Sequence, residues 1–425
     1  MFKRKQLLDA LLSKRENGRV KIITGLRRSG KSFLLKDIYI PCLLSEGIKK
    51  DNVVLLELDD LGNASYRNPL NLLRKVLSAV KKDGMNYVFI DEIQLCREVE
   101  NPDAPGDVLS FVDTCNSLLK HPNIDLYITG SNSRMLSSDI LTRFRDRGDE
   151  IHVTSLTLPE ILEESQGTLE RAFNDYLLYG GLPMVVSTKT PVEKTKYLNT
   201  VMNETYLRDI VARNELDSDK GLKNIGRLLA TTTGSLTNIA NIANTLTSTY
   251  REKFYWDKVK KFVTAFKDSF LIEEVERYDL VGRKNVEEPH KFYYTDNGIM
   301  NAFSDFSHFE RQQALECAVY NHLRANGYAV EVGVVPLRKM ENGKREMRSY
   351  EVDFIATKYL TKIYIQVACS LNAIGKENQE KVSLNAIHDS NAKVILVGED
   401  ISPMRDEKGI LTESVLTFLQ DKCEI

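Results

Sequence analysis

An α/β fold built on a parallel sheet with a phosphate-binding loop is predicted by two stretches of this 425-residue chain. Gly25-Leu26-Arg27-Arg28-Ser29-Gly30-Lys31-Ser32 fits G-x-x-x-x-G-K-[ST]. The apolar run Val20–Thr24 before it reads as a buried strand, and Phe33–Tyr39 after it carries apolar residues at helical spacing. Further on, Tyr87-Val88-Phe89-Ile90 is an apolar strand ending in Asp91 and Glu92, where such a sheet needs its Mg²⁺ partner.

Each residue of the loop has a physical task. Backbone N–H groups at the start of the helix, with the positive end of its dipole, face a β-phosphate. Gly25 and Gly30 permit close approach, Lys31 reaches the β/γ-phosphates, and the Ser32 hydroxyl ligates Mg²⁺. Ser29 and Phe33 complete the expected nucleotide-binding set, together with Arg28, whose charge lies beside the phosphates. Asp91 is expected to hold Mg²⁺, and Glu92 to polarise a water for in-line attack on the γ-phosphorus.

Two further apolar runs supply strands. Asn52–Leu58 places an extra strand between the loop strand and the acidic strand. Asp125–Thr129 is followed by Gly130-Ser131-Asn132-Ser133, a place for a side chain that senses the γ-phosphate or orients water, and Ser131 and Asn132 are the candidates. A transition state that gathers charge on the γ-phosphoryl oxygens calls for a guanidinium. Arg143, Arg145, Arg147, Arg208 and Arg213 are the available arginines, and Arg147 is taken into the catalytic set.

Composition limits the rest. The length predicts several domains. Lys plus Arg number 58 against 60 Asp plus Glu, a net charge of −2, so any nucleic-acid contact has to be local. The six cysteines show no C-x-x-C pair, which fits a reducing compartment, and no apolar stretch suffices for a membrane span, so a cytoplasmic protein is expected.

These motifs together resemble the AAA-type ATPases that carry an AAA domain followed by a DUF4143 region. The resemblance rests on Ile23–Ser32, Ile90-Asp91-Glu92-Ile93-Gln94 and Thr129–Ser133, and continues through Phe144–Ile151 and Leu156–Ile161, with Ser155 where the family usually has Pro. Tyr179-Gly180-Gly181-Leu182-Pro183 resembles the G-x-P segment of the archaeal and signal-transduction ATPase group. That resemblance implies a helical lid against the nucleotide, with Gly181 and Pro183 at its opening. The residues alone read rather as a helix-capping glycine and a proline stop. The absence of an N-K-x-D segment favours ATP over GTP through the same resemblance.

Beyond the core at 1–157, helical periodicity predicts a lid over 158–215. A winged helix is predicted over 216–302: Asn238 starts one helix, and Val259, Phe262, Val263, Phe266 and Phe270 trace one face of the next. Leu271–Tyr278 and Lys291–Thr295 make the wing. Arg251, Lys253, Lys258, Lys260, Lys261 and Lys267 could meet DNA phosphates, against the acidic run Glu273–Glu276.

Residues 303–425 resemble the PD-(D/E)XK nuclease core, a restriction-endonuclease-like α/β domain. Glu316 matches its helix acid, Asp353 its strand Asp, and Gln366 the first position of E-x-K, while Ala368 stands where Lys belongs. In that fold these groups gather Mg²⁺ and activate water. Without the lysine and one carboxylate, a degenerate module is expected. The sequence thus predicts a Mg²⁺-dependent ATP-binding protein and slow ATPase acting as a nucleotide-gated switch. Control of DNA contact, assembly with protein partners and a residual nuclease are the readings of its output.

Overall fold

Strands apolar on both sides need cover on both sides, and the first sheet has it. In the computed structural model, β1 (Val20–Thr24), β2 (Val53–Glu57), β3 (Asn86–Asp91), β4 (Ile124–Thr129) and β5 (Gly148–His152) are all parallel, in the order β2-β3-β4-β1-β5. Every residue of β1, β3 and β4 is buried. On one face Ile22, Val88, Ile90 and Leu126 pack with Leu72, Val76, Val112 and Leu118. On the other, Tyr87, Phe89 and Tyr127 pack with Leu11, Leu34, Leu35 and Tyr39. Each such side chain contributes roughly 1.5–3 kcal/mol on burial.

The strand that separates the loop strand from the acidic strand is β4, not 52–58 as the sequence order suggested. β2 lies at the edge, where alternate residues are only half-buried. Hydrophobicity marks a strand as buried without naming its neighbours, and the crossover that brings β4 between β1 and β3 leaves no local signature.

The structure describes residues 2–130, 144, 147–165, 167–208, 210–211, 219–341, 344–371 and 376–420. They fall into two compact units, Met1–Thr154 with Asp268–Phe270, and Ser155–Lys267 with Leu271–Ile425. The second unit contains the whole of the region expected as nuclease-like domain, and almost all of those expected as lid and winged helix. It begins with short helices, among them α1 (Leu169–Tyr179), and continues through α2 (Ile239–Tyr250) and α3 (Trp256–Asp268). The Asn238 side chain caps α2 by accepting the Asn241 N–H at 2.8 Å. Val259, Phe262, Val263 and Phe266 form the buried face of α3, which ends before Phe270.

Next come β6 (Ile272–Asp279) and β7 (Lys284–Tyr294), an antiparallel pair, then α4 (Asn297–Phe303) and α5 (Arg311–Ala325). The strands β8 (Ala329–Glu341), β9 (Lys344–Lys358), β10 (Thr361–Ala368), β11 (Ala392–Val397), β12 (Met404–Arg405) and β13 (Leu411–Ser414) join that pair in one eight-stranded mixed sheet, ordered β12-β13-β11-β10-β9-β8-β6-β7. The expected wing is therefore the end of a larger sheet. β6 pairs in parallel with β8 through Arg277, Tyr278 and Asp279.

Among the described residues Cys42, Cys96, Cys115, Cys317 and Cys369 are free thiols, and no helix is long and apolar enough to cross a membrane.

Candidate functional site

The loop sequence closes round its own backbone. Gly25 (φ +131°), Arg28 (φ +71°) and Gly30 (φ +98°) adopt positive φ, and a Cβ on Gly25 would lie 2.2 Å from the carbonyl oxygen of Val153. The Lys31 ammonium donates to the carbonyls of Gly25 and Leu26, both at 3.0 Å, which holds its charge at the loop. Ser29 is buried, and its hydroxyl has no partner among the described residues. An orphaned hydroxyl inside a glycine-lined turn fits a phosphate ligand. Ser32 is half-buried, Phe33 is partly exposed, and Arg28 is exposed beside the loop. The helix that follows turns to π geometry over Leu34–Tyr39.

Parallel pairing brings the other groups to the same strand ends. Ile23 pairs with Thr129, and Ile90 with Ile128, so the loop, Asp91–Glu92 and the end of β4 share the carboxyl edge of the sheet. The Thr129 hydroxyl donates to Asp91 Oδ1 and accepts the Glu92 N–H at 3.0 Å. Glu92 itself has φ +54°, a strained conformation for a non-glycine residue, and the Gln94 side-chain amide donates to its Oε2. Lys36, one turn into the helix, pairs with Glu57 and lies 3.5 Å from Asp91 Oδ2. Burial would lower its pKa, but Glu57 and Asp91 outweigh that and raise it.

Thr129, Gln94 and Lys36 were not among the expected site residues. A threonine closing a strand two residues before the Ser131-Asn132 pair was the available signal. Ser131 and Asn132 lie outside the described residues, as do Arg143, Arg145 and Arg213. Arg147 precedes β5, and its carbonyl accepts the N–H of Val20, the first residue of β1. That is the opposite edge of the sheet from the loop, so Arg147 does not meet the phosphate site of its own chain. The five residues of β1 lie between them, roughly 16 Å of strand.

Gly181 and Pro183 lie in the second unit. A Cβ on Gly181 would meet the Leu156 carbonyl oxygen at 2.1 Å, and its N–H donates to Asp296 Oδ2 at 2.9 Å. Close backbone packing inside that unit accounts for this glycine. Pro183 opens the short helix Pro183–Ser187, where a missing N–H costs nothing.

The nuclease-like residues do converge, but on a lysine. Lys291 of β7 is buried, with Nζ 2.9 Å from Glu316 Oε1, 2.7 Å from Glu351 Oε1 and 3.3 Å from Asp353 Oδ1. The Tyr293 hydroxyl donates to Glu316 at 2.5 Å. Asp353 Oδ2 accepts the Val367 N–H at 2.9 Å, and Gln366 Oε1 accepts the Asp353 N–H at 2.7 Å. Burial works against the Lys291 charge, but Glu316, Asp353 and Glu351 raise its pKa; burial and Asp353 push Glu316 up to about 7 despite the lysine. Lys291 engages one oxygen of each of the three carboxylates, in the space where a Mg²⁺ ion would need them, so the cluster as it stands does not fit the metal of the nuclease fold.

Comparison with known proteins separates the chain similarly. Residues 17–162 match the family model described as AAA domain, and residues 170–310 match one described as Domain of unknown function (DUF8612), a different description from the DUF4143 region that the resemblance implied. An uncharacterized protein of Haemophilus influenzae is 28% identical over 405 residues, covering 94% of each chain. An uncharacterized protein of Methanocaldococcus jannaschii is 26% identical over 400 residues, covering 90% of this chain and 83% of its own. AMPPCP-bound DnaA from Aquifex aeolicus aligns over 62% of this chain and 87% of its own, at 13% identity and a TM-score of 0.32. The AAA match and the parallel sheet with its phosphate loop make the first unit an AAA-type P-loop fold.

Proposed function

We propose that this protein binds ATP with Mg²⁺ at the loop and hydrolyses it slowly, and that the second unit reads out the nucleotide state. The observation that carries this reading is the Thr129 hydroxyl, which ties Asp91 and Glu92 together at the strand end beside the loop. Ser32 and Asp91 would hold Mg²⁺, which supplies charge neutralisation on the phosphate oxygens. Lys31, Ser29 and the loop N–H groups orient the β/γ-phosphates. The Glu92 carboxylate takes a proton from water as its oxygen bonds to the γ-phosphorus and the bond to ADP breaks. In this reading Ser131 or Asn132 orients that water, and Gly181 and Pro183 open the lid. ATP binding measured with wild type, Lys31→Ala and Mg²⁺ chelation tests it: loss of binding in the variant is expected, and equal affinity in the two proteins would contradict the loop's role.

A second reading, DNA as the partner of the switch, is favoured by the start of α3. Tyr255 and Trp256 are 60% and 47% exposed, with Lys253 Nζ 4.7 Å from the Tyr255 ring centroid and Lys260 Nζ 4.8 Å from that of Trp256. Aromatic faces interleaved with lysines suit bases and phosphates. The acidic run counts against this less than its sequence suggests, because Glu273 pairs with Arg324 and Glu274 with Lys267 and His290. The same pairing removes Lys267 from the free basic set. Lys260→Ala with Lys261→Ala should weaken duplex binding and reduce the slope of log affinity against log salt by about 1 per lost phosphate contact. An unchanged slope would leave protein partners as the output.

A further inference from the structure

We infer that Lys291 is a built-in cation standing where a nuclease-like fold would hold its divalent metal, so that the acidic cluster of the second unit is complete without metal and closed to it. Three carboxylates, Glu316 on α5 and Glu351 and Asp353 on β9, surround a single ammonium delivered from β7. Isolated buried carboxylates are too costly to keep ionised, so such a cluster demands positive charge from an ion, from protons or from a side chain. Here the side chain supplies it, with Nζ within 3.3 Å of an oxygen of each carboxylate.

Three further contacts close the site. Asp353 is held on one oxygen by Lys291 and on the other by the Val367 N–H. Gln366, where the nuclease pattern has a carboxylate, spends its oxygen on the Asp353 backbone. Gly234, at φ +75°, packs against the Glu316 carboxylate so closely that a Cβ there would sit 2.8 Å from Oε1, which fixes that carboxylate toward Lys291. Among the described residues, no group of three or more His, Cys, Asp or Glu side chains is placed to hold a metal. Ala368 at the E-x-K lysine position therefore does not leave the cluster without a lysine; the ammonium arrives from another strand, facing the carboxylates directly.

A metal site should be recoverable by removing that ammonium. With Lys291→Ala, the three carboxylates lose their counter-charge, and their mutual repulsion favours a divalent ion that draws them into the space the ammonium leaves. The test is Mn²⁺ titration of the full chain without nucleotide, followed by electron paramagnetic resonance and by thermal unfolding, for wild type, Glu351→Gln, Lys291→Ala and Lys291→Ala/Glu351→Gln. Asp91→Asn in every background removes interference from the metal ligand beside the phosphate loop. The expected result is no saturable Mn²⁺ site in the wild-type cluster, one new site with a Mn²⁺-dependent rise in Tm in Lys291→Ala, and its loss in the double variant. Saturable Mn²⁺ binding with Lys291 present, abolished by Glu351→Gln alone, would overturn the inference. So would a folded Lys291→Ala protein that gains no site. If Lys291→Ala does not fold in chelator, folding on addition of Mn²⁺ supports the inference. If it folds in neither condition, Lys291→Met, which keeps the stem and drops the charge, is titrated in its place: a gained Mn²⁺ site supports the inference, and a folded protein without one overturns it.

Discussion

The Thr129 hydroxyl donates to Asp91 and accepts the Glu92 N–H, so one side chain on β4 sets the position of both carboxylates at the end of β3. The bond to the Asp91 carboxylate, made to a charged group, contributes about 1.5–3 kcal/mol, and the neutral bond that holds the Glu92 N–H adds about 0.5–1.5 kcal/mol against its backbone strain. Thr129→Val keeps the volume and removes the hydroxyl. It should lower kcat for ATP roughly 10- to 100-fold, the kinetic equivalent of that bond, with a smaller change in nucleotide affinity. Steady-state kinetics beside equilibrium nucleotide binding separates the two effects, and an unchanged kcat would remove Thr129 from the site.

Gly25 is constrained by space as well as by φ. Gly47 shares a positive φ, but a Cβ added to it would have nothing within 4 Å, whereas one on Gly25 would face the Val153 carbonyl at 2.2 Å. Gly47→Ala should cost roughly 1–2 kcal/mol through backbone conformation alone. Gly25→Ala should cost more, read from urea denaturation of the two variants. Equal losses would mean that the loop yields without difficulty.

Lys21 and Asp125 form a fully buried pair on β1 and β4, and Tyr127 also donates to Asp125 at 2.6 Å. Lys21→Met leaves that carboxylate buried without its cation, and the expected loss is about 3–5 kcal/mol. A loss below about 1 kcal/mol, the range of exposed pairs, would contradict the burial argument.

Glu316 gives a pH dependence of definite sign. Its folded pKa, about 7, lies above its ordinary value of 4.5. The protonated form is therefore favoured in the folded state, and its contribution is fully present below pH 4.5 and lost as pH rises through 7. Glu316→Gln should remove this loss, so the stability difference between variant and wild type should grow in the variant's favour between those limits. A difference independent of pH would show that Glu316 does not titrate there.

Much of the proposed nucleotide site was legible because its parts are contiguous: Gly25–Ser32 and Asp91–Glu92 each join a strand to the turn that follows it. Thr129 and Lys36 were not, since the partners of Thr129 lie at the end of β3 and those of Lys36 on β2 and β3, all distant in sequence. Lys291 was hidden for the same reason, being 62 residues from Asp353 in sequence and in contact with it in space. The E-x-K pattern looks for its lysine two residues from Gln366, where Ala368 stands, and cannot see one carried by β7. The hairpin β6–β7 was visible as two strands, but its membership in the eight-stranded sheet depends on the pairing of Arg277–Asp279 with β8, which alternation does not encode.

The most direct measurement of the central claim is ATP turnover at saturating ATP and Mg²⁺ for wild type and Glu92→Gln, with ATP affinity measured on the same samples. Glu92 as the group that takes the proton from water requires unchanged binding and turnover lowered by roughly 100-fold or more. Equal turnover in the two proteins would contradict the assignment and leave the strand end a structural turn.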